Sequence, residues 1–332
     1  MRHSAKRATA GKCVRTIAAA CMLLLGNAAA LAKYPERPIT LVVPFAAGGG
    51  SDGTIRIVAE HMAKTLGQPI VIENGGGAGG TTATARVARA AADGYTLILG
   101  NSGTHSATPA QYSDLKYNPA KDFTPIGLSA EFPMVIITRR DFPANSLREF
   151  VDYVRKNQNR INEAHSGVGS QSHSVCTLLQ SIMGTRTERI AYRGTSPAMN
   201  DMIAGHVDFK CVGLGPVISF IQAGTIKVIA VASSRRVELI KDVPTTAEGG
   251  LPEFQVSGWN ALFAPAKLPP DIQFTLNEAL GKALDDPAVR RRLLALGNEI
   301  PEQPNRSPEA LQGLVEREIA RWSSVLKPTA GQ

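Results

Sequence analysis

The sequence predicts an α/β protein in which mostly parallel sheets are flanked by helices. Short runs rich in valine and isoleucine alternate with helical patterns, which is typical of parallel α/β folds. Two glycine-rich turns, at residues 47–51 and 166–170, each join a strand to a helix. A basic and apolar leader precedes the first strand, and we exclude that leader from the fold.

The first 32 residues are typical of a secretory signal peptide. An apolar run at 17–31 ends in Ala30-Leu31-Ala32, which matches the A-x-A cleavage pattern. The run is short for a membrane span. The alternatives are an uncleaved anchor or a lipoprotein acylated on Cys21. We predict cleavage near Ala32 and a periplasmic location. The basic residues before the run are Arg2, Lys6, Arg7, Lys12 and Arg15.

Removal of this leader changes the charge and the cysteine content of the chain. The net charge is +8, and the five positive charges of the leader leave +3 for residues 33–332. Nucleic-acid binding needs a dense basic face, so we predict no nucleic-acid partner. Cys176 and Cys211 remain. In an oxidising compartment they form a disulfide or stay as two buried thiols, and the sequence favours the disulfide.

The first strands and helices follow from hydrophobic periodicity. Residues 39–43 form a short apolar run that predicts a buried strand, whereas Ile55, Val58 and Met62 recur at helical spacing. The predicted strands of this first series are 39–43, 69–73 and 95–99, and the helices between them are 51–66 and 81–92.

A second series of strands and helices starts near residue 134. Ser146 and Glu149 form a capping box, which predicts the start of a helix. The tail of the chain differs because it holds only amphipathic helical patterns. The predicted strands are 134–138, 189–192, 207–212 and 227–232, with one more helix between the last two. The other predicted helices are one that runs through 178 after the glycine turn, 146–156, 197–204, 271–284, 287–296 and 308–326.

Each glycine-rich turn predicts a helix N-terminus that binds an anion. Glycine lets a ligand approach the backbone closely. The free N–H groups of the first helical turn and the helix dipole both favour negative charge. Two such turns, one in each series, would form a clamp for a carboxylate.

Three other motifs point to other chemistry, and each lacks its expected context. Residues 49–53 fit G-x-S-x-G with Ser51 as a nucleophile, but no earlier loop supplies the second oxyanion N–H group. Residues 75–80 contain G-x-G-x-x-G, but no acidic residue ends the next strand, so we predict no nucleotide cofactor. His165 and His173 have no obvious third ligand, so we predict no metal site.

Several longer segments occur in one order across essentially the whole chain after the leader. They are YPERPITLVVPFAAGGGSD, GQPIVIEN with GAGG, ADGYTLILGNSGTH, YNPAKDFTPI, HSGVGSQSH, AYRGTSPAMNDMIAGHVDF, IQAGTIKVIAVAS and DVPTTAEGGLPEFQVSGWNALFAP. Together they resemble the Bug-type extracytoplasmic solute receptors of tripartite tricarboxylate transporters.

This resemblance implies a two-lobed periplasmic binding protein of type II, which closes on a small organic acid. One lobe would comprise residues 33–132 and 233–332, and the other residues 133–232. Closure would present a surface to a membrane permease. The resemblance implies no catalysis, and we expect a monomer. The alternatives are a secreted serine hydrolase that uses Ser51 and a ligand-sensing subunit of a signalling system.

In that family the glycine turn of each lobe grips a ligand carboxylate through backbone N–H groups. This chain departs from the pattern in having Ala46-Ala47 before the glycines, and Val212 where relatives often have an aspartate. An apolar side chain there disfavours a ligand ammonium group and predicts a non-amino carboxylic acid. The ligand-binding residues that the resemblance implies are Ala47, Gly48, Gly49, Ser51, Asp52, Ser102, Thr104, His105, Ser166, Gly167, Val168, Gly169, Ser170, His173 and Val212.

Overall fold

The helices and strands of this protein build one mixed sheet with helices packed against it. The computed structural model describes residues 34–326. The predicted signal peptide, its cleavage site and Cys21 lie outside the described residues. Residues 37–326 belong to one structural unit, and of the other unit, Met1–Glu36, residues 34–36 are described and form no helix or strand. Within 34–326, no helix is both long and apolar enough to cross a membrane.

Most strands have four to six residues, and two are longer. The strands are β1 (Ile39–Val43), β2 (Ile70–Asn74), β3 (Thr96–Asn101), β4 (Phe123–Arg139), β5 (Asn162–His165), β6 (Glu188–Ala191), β7 (Phe209–Gly213), β8 (Ile226–Val231) and β9 (Ser257–Pro265). The α-helices are α1 (Gly50–Leu66), α2 (Thr81–Val87), α3 (Thr108–Gln111), α4 (Leu147–Asn157), α5 (Gln171–Met183), α6 (Thr195–Ile203), α7 (Ile218–Gln222), α8 (Pro270–Asp285), α9 (Pro287–Ala295) and α10 (Pro308–Val325).

The sheet has the strand order β2-β1-β3-β9-β4-β7-β5-β6, and β8 also pairs with β4. β1 pairs in parallel with β2 and β3, and β5 pairs in parallel with β6 and β7. The pairs β3–β9, β4–β9, β4–β7 and β4–β8 are antiparallel. The α/β class predicted from the sequence is therefore confirmed, with parallel pairs toward both ends of the sheet and antiparallel pairs around β4.

The long strand β4 connects two halves of this sheet. Its first part, from Phe123 to Pro133, pairs with β9, whereas its second part, from Met134 onward, pairs with β7 and β8. The first half of the sheet thus contains β1, β2, β3, β9 and the start of β4. The second half contains the end of β4 and β5 to β8. In each half one strand–turn–helix unit, β1–α1 or β5–α5, carries a glycine-rich turn.

Three strand segments were not predicted from the sequence, and one helix is shorter than predicted. β5, β9 and the first part of β4 were missed because Glu163 and His165 in β5, Asn260 in β9 and Gly127 in β4 interrupt the apolar pattern. The helix predicted at 81–92 ends at Val87, and turn hydrogen bonds follow it. The predicted capping box is present, since the Glu149 N–H donates to the Ser146 hydroxyl.

Both faces of β7 are covered by apolar side chains. Phe209 and Cys211 belong to one hydrophobic cluster, whereas Val212 belongs to a second cluster with residues of β4 and α6. Because successive side chains of a strand point to opposite faces, Lys210 lies on the same face as Val212.

A disulfide joins Cys176 in α5 to Cys211 in β7, which is the pairing that the sequence favoured. Both residues are fully buried. The bond therefore ties the helix that follows the second glycine turn to the neighbouring strand.

The double substitution Cys176→Ala/Cys211→Ala should lower the free energy of unfolding. The bond closes a loop of 35 residues, and chain entropy assigns such a loop about 3–4 kcal/mol. Urea unfolding of the variant and the wild type measures the loss. Alkylation and peptide mass spectrometry of the denatured wild type, without reductant, is the control. Labelling of both cysteines would contradict the bond.

Candidate ligand-binding cavity

A cavity of about 190 Å³ lies where β4 changes partners. Phe132 and Met134 stand on either side of that change, and both line the cavity. This volume is well above the ~10–15 Å³ that one water requires, so the cavity can hold a small molecule. The lining residues are Phe45, Ala46, Gly48, Gly49, Gly50, Ser51, Asp52, Gly53, Thr54, Asn101, Phe132, Met134, Ser166, Ser170, Gln171, Ser172, Thr195, Val212, Gly213, Gly215, Pro216, Asn260, Leu296 and Asn298.

The N-terminus of α1 brings unpaired backbone donors to this cavity. Gly49 is the N-cap and has no side chain to accept a hydrogen bond. The first backbone bond at this helix end is from the Gly53 N–H to the Gly49 carbonyl. The N–H groups of Gly50, Ser51 and Asp52 therefore have no partner among residues 34–326. A helix end of this kind favours negative charge.

The carboxylate of Asp52 shapes the first glycine turn. One oxygen, Oδ2, accepts from the Gly48 N–H and from Arg56 Nε, each at 2.9 Å, and Oδ1 accepts from Asn74 Nδ2 at 2.9 Å. Burial opposes ionisation, but the hydrogen bonds from Arg56, Gly48 and Asn74 together lower the pKa of Asp52. Because its oxygens are engaged in this way, Asp52 holds the turn in place.

The N-terminus of α5 faces the same cavity from the second half of the sheet. Its N-cap, Ser170, accepts from the His173 N–H at 3.3 Å, and the N–H groups of Gln171 and Ser172 have no partner among the described residues. Both Gln171 and Ser172 line the cavity. Two helix N-termini thus present backbone donors to one small space.

Two imidazoles occupy the other donors of the second glycine turn. The Gly167 N–H donates to His165 Nδ1 at 3.2 Å, and the Gly169 N–H donates to His173 Nδ1 at 3.4 Å. Burial lowers the pKa of His165 to about 4 and that of His173 to about 3, so both rings accept as neutral imidazoles. The donors left for a ligand are therefore those of the helix, and not those of these glycines.

The structure brings seven of the fifteen sequence-predicted residues to the cavity, and it places the others elsewhere. Ala47 is exposed beside the first turn, and Gly167 and Val168 line a second cavity next to residues 76–78. Four residues are buried and do not line the cavity: Ser102, Thr104, His105 and His173. Gly169 does not line it either, and its N–H donates to His173 Nδ1. The seven lining residues are Gly48, Gly49, Ser51, Asp52, Ser166, Ser170 and Val212.

His105 lies in the aromatic core. Its ring stacks on Phe263 with centroids 4.1 Å apart and lies 4.7 Å from Phe123. The side chain is fully buried, and burial lowers its pKa to about 3. Its Nδ1 lies 3.0 Å from the Thr104 hydroxyl, and its Nε2 has no hydrogen-bond partner among residues 34–326. His105 therefore contributes to packing at the turn after β3.

Sequence reasoning missed four amide side chains and an apolar wall. The side-chain hydrogen bonds of Asn101 and Asn260 within the described chain use their Oδ1 atoms, and Gln171 Nε2 is buried without a partner there. Asn101 ends β3 and Gln171 opens α5, whereas Asn260 lies inside β9 and has no comparable sequence signal. The missed amides are Asn101, Gln171, Asn260 and Asn298, and the wall adds Phe45, Phe132, Met134, Pro216 and Leu296 to Val212.

The side chains that line this cavity carry little charge. Asp52 is the one charged side chain among the lining residues, and its charge is paired with Arg56 at 2.9 Å. The Ser51 hydroxyl donates to Asn260 Oδ1 at 3.1 Å, and no histidine lines the cavity as a base. The lining therefore offers an anion neutral donors and apolar surface.

The G-x-G-x-x-G segment at residues 75–80 forms a tightly packed turn. A Cβ atom on Gly79 would lie 1.9 Å from the Val168 carbonyl oxygen, and Gly79 has a φ of +61°. Only glycine fits this close approach. The motif brings the first half of the sheet directly against the second glycine turn.

Comparison with known proteins identifies what the chain resembles as a whole. The model of a family described as the tripartite tricarboxylate transporter family receptor matches residues 54–330. MatC from Rhodopseudomonas palustris, solved with bound malate, is 44% identical, with a TM-score of 0.86 over 88% of this chain and 99% of that chain.

Two further solved structures are similar over most of their length. The periplasmic binding protein BugD is 41% identical, with a TM-score of 0.84 over 89% of this chain and 100% of that chain. The R. palustris protein Rpa4515, solved with adipate, is 32% identical, with a TM-score of 0.83 over 88% of this chain and 97% of that chain. The resemblance to Bug-type receptors inferred from the sequence is confirmed.

His105→Phe should flatten the acid dependence of stability and leave ligand affinity unchanged. The folded pKa of His105 is about 3, below its ordinary 6.5. The unfolded chain thus binds one proton more between these values, and stability falls as the pH drops below 6.5. Between pH 7 and pH 5 the variant should lose about 2 kcal/mol less than the wild type.

Urea unfolding at both pH values measures this difference. His206→Gln, at an exposed position, is the control for removing an imidazole. An unchanged acid dependence in His105→Phe, or a loss of ligand affinity with intact folding, would contradict the core role of His105.

Proposed function

The chain belongs to the tripartite tricarboxylate transporter receptor family, and we propose that it is a periplasmic receptor for a small organic dicarboxylate. The observation that carries this proposal is the pair of helix N-termini at one cavity. Gly50, Ser51 and Asp52 on one side and Gln171 and Ser172 on the other have unpaired backbone N–H groups. Each set suits one carboxylate.

The relatives support a ligand with two carboxylates. MatC was solved with malate and Rpa4515 with adipate, and both are dicarboxylic acids. In this chain the amides of Asn101 and Asn260 lie in the same cavity and could bind a further oxygen of the ligand. The apolar wall suits the carbon skeleton between the carboxylates.

Val212 supports selection against amino acids. It is 3% exposed and lies on the cavity wall. The remaining lining offers no unpaired carboxylate, because the Asp52 oxygens bind Gly48, Arg56 and Asn74. A ligand ammonium group would lose its hydration without gaining a counter-charge, which is costly. We therefore propose a non-amino acid as the ligand.

We also propose that the two halves of the sheet move as lobes about β4 and the segment before β9. The partner change of β4 between Pro133 and Met134 lies one residue after the lobe boundary proposed at 132/133. We place the return crossing near Val256, and not at 232/233. The Thr246 N–H donates to the Val231 carbonyl and the Val256 N–H to the Ala232 carbonyl, so residues up to 256 pair with the second half.

The receptor role also defines the partners of the chain. A closed, ligand-bound form would be recognised by an integral-membrane permease, and we propose that the receptor acts as a monomer. Export is supported by the leader pattern of residues 1–32. Delivery to a permease and signalling through a sensor would use the same binding step. Catalysis by Ser51 has no structural support, since its hydroxyl bonds to an amide oxygen.

A thermal-shift and calorimetry panel tests the proposed function. The panel contains malate, succinate, adipate, citrate, L-aspartate and NAD. At about 100 times its dissociation constant a ligand adds about 2.7 kcal/mol of stability, which raises Tm by several degrees. We expect a selective rise with one or more dicarboxylates. No response to any carboxylate, from protein refolded free of carried-over ligand, would refute the proposal.

Val212→Asp should shift preference toward amino acids. The new carboxylate would repel a dicarboxylate and pair with an ammonium group, so we expect malate affinity to fall and the ratio of L-aspartate to malate affinity to rise about 10-fold or more. Val212→Asn is the matched neutral control. Calorimetry measures both ligands. An unchanged ratio would show that Val212 does not face the ligand.

Ser51→Ala separates a receptor from a hydrolase. Ser51 lines the cavity and has an unpaired backbone N–H group that the substitution keeps. We therefore expect a loss of affinity of about 10-fold or less, since one neutral hydrogen bond is removed. Wild-type turnover of p-nitrophenyl esters that disappears in Ser51→Ala would instead establish a hydrolase.

A further inference from the structure

Lys210, the second residue of β7, is fully buried, with an exposed fraction of 0%. It lies on the same face as Val212, which lines the cavity, but Lys210 itself does not. A lysine is almost never fully buried without partners. Its partners therefore indicate what its charge stabilises.

The ammonium group of Lys210 lies directly behind two serines of the cavity wall. Its Nζ donates to the Ser166 hydroxyl at 3.2 Å and to the Ser172 hydroxyl at 3.4 Å, and both serines line the cavity. We propose that Lys210 is a positioning residue for anion binding, which orients the Ser166 and Ser172 hydroxyls toward a ligand carboxylate and supplies the positive charge of the site. This inference rests on the proposed function.

The hydrogen bonds of Ser172 show how this orientation arises. A hydroxyl has two acceptor lone pairs and one hydrogen. Ser172 Oγ accepts from Lys210 and, at 2.9 Å, from the Ser166 N–H. With both lone pairs occupied, its hydrogen must point away from the protein donors. The remaining polar neighbour in the described chain is the Ser170 hydroxyl at 3.2 Å, which also lines the cavity.

Ser166 is arranged in a similar way. Its Oγ accepts from Lys210 and lies 3.3 Å from the Thr195 hydroxyl, another lining group. A charged donor behind the oxygen polarises the O–H bond and strengthens its donation. The two serines thus extend the row of donors that begins with the N–H groups of Gln171 and Ser172.

The charge of Lys210 is balanced by a carboxylate that does not line the cavity. Glu163 in β5 is fully buried, and its carboxylate interacts with Arg189 and with Lys210. Burial raises the pKa of Glu163 and lowers that of Lys210 to about 7, and the attraction between them partly offsets both shifts. Among the described residues, His165 also faces Lys210, and burial keeps it neutral.

An anionic ligand would stabilise the charged form of Lys210. Binding should therefore raise its pKa and take up protons from solution when the pH is near or above 7. Glu163, Arg189 and His165 are present in the free and bound protein alike. Proton uptake is a consequence that a purely structural lysine would not show.

The test compares Lys210→Met with Lys227→Met in the full chain. Lys227 in β8 donates to the Phe142 and Ala144 carbonyls and to Asn145 Oδ1, and none of these lines the cavity. Calorimetric titration uses malate, succinate and adipate as probes. We expect Lys210→Met to bind the preferred probe about 10- to 100-fold more weakly, and Lys227→Met to bind it within about 2-fold of the wild type.

A second variant distinguishes weak binding from a folding defect. Lys210→Met/Glu163→Gln removes both buried charges together and avoids an unpaired carboxylate. It should fold with a Tm close to the wild type and show the same weak binding. Titration at pH 7.5 in buffers of different ionisation enthalpy measures the proton uptake, which we expect in the wild type and not in either Lys210 variant.

The outcomes separate this inference from the function on which it rests. If the wild type binds none of the carboxylates, the proposed function fails and the inference fails with it. If the wild type binds a carboxylate but the folded double variant binds it equally well, the inference alone is refuted. Weak binding without any difference in proton uptake would also refute it, because the charge would then have no part in binding.

Discussion

Unpaired backbone N–H groups at the starts of α1 and α5 are the constraint around which this molecule is arranged. Buried or half-buried donors must find a partner, and the first turn of a helix has none within the helix. The protein supplies acceptors for the neighbouring donors: Asp52 for Gly48, and two imidazoles for Gly167 and Gly169. Among the backbone donors described at the two helix starts, those of the first helical turns are left for a ligand. The turns are thus rigid before binding, which lowers the entropic cost of association.

The sheet brings these two helix ends together because one long strand pairs with strands of both halves. β4 pairs first with β9 and then with β7 and β8, and the cavity lies at that change. Ligand sites of open α/β sheets form where the strand order reverses, outside the carboxyl ends of the strands. The disulfide between α5 and β7 fixes the second helix against the strand that carries Lys210. Backbone donors, hydroxyls and a buried charge are thereby held in one arrangement.

Much of this fold was predictable from local sequence, and the site only in part. β1 to β3, α1, α4 and the tail helices follow from periodicity and capping, and both glycine turns follow from glycine next to a helix start. β5 was missed because its buried Glu163 and His165 resemble loop residues. The place of His105 depends on Phe123 and Phe263, which are distant in sequence. The place of Leu296 in the cavity wall also depends on residues distant in sequence, because the tertiary fold brings it to the start of α1.

The close approach of Gly79 to Val168 leaves no room for a side chain at the edge of the second turn. Under the proposed function the helix-end N–H groups bind the acid through backbone atoms, so their contribution is restricted by the path of the backbone and not by side-chain identity. Side chains of the wall, such as Val212, Met134 and Leu296, are not under this restriction. Under the proposed function, recognition of the acid group and choice among acids therefore depend on separate positions. Over evolution, a chain of this design can acquire a new nutrient while keeping its carboxylate-binding backbone unchanged.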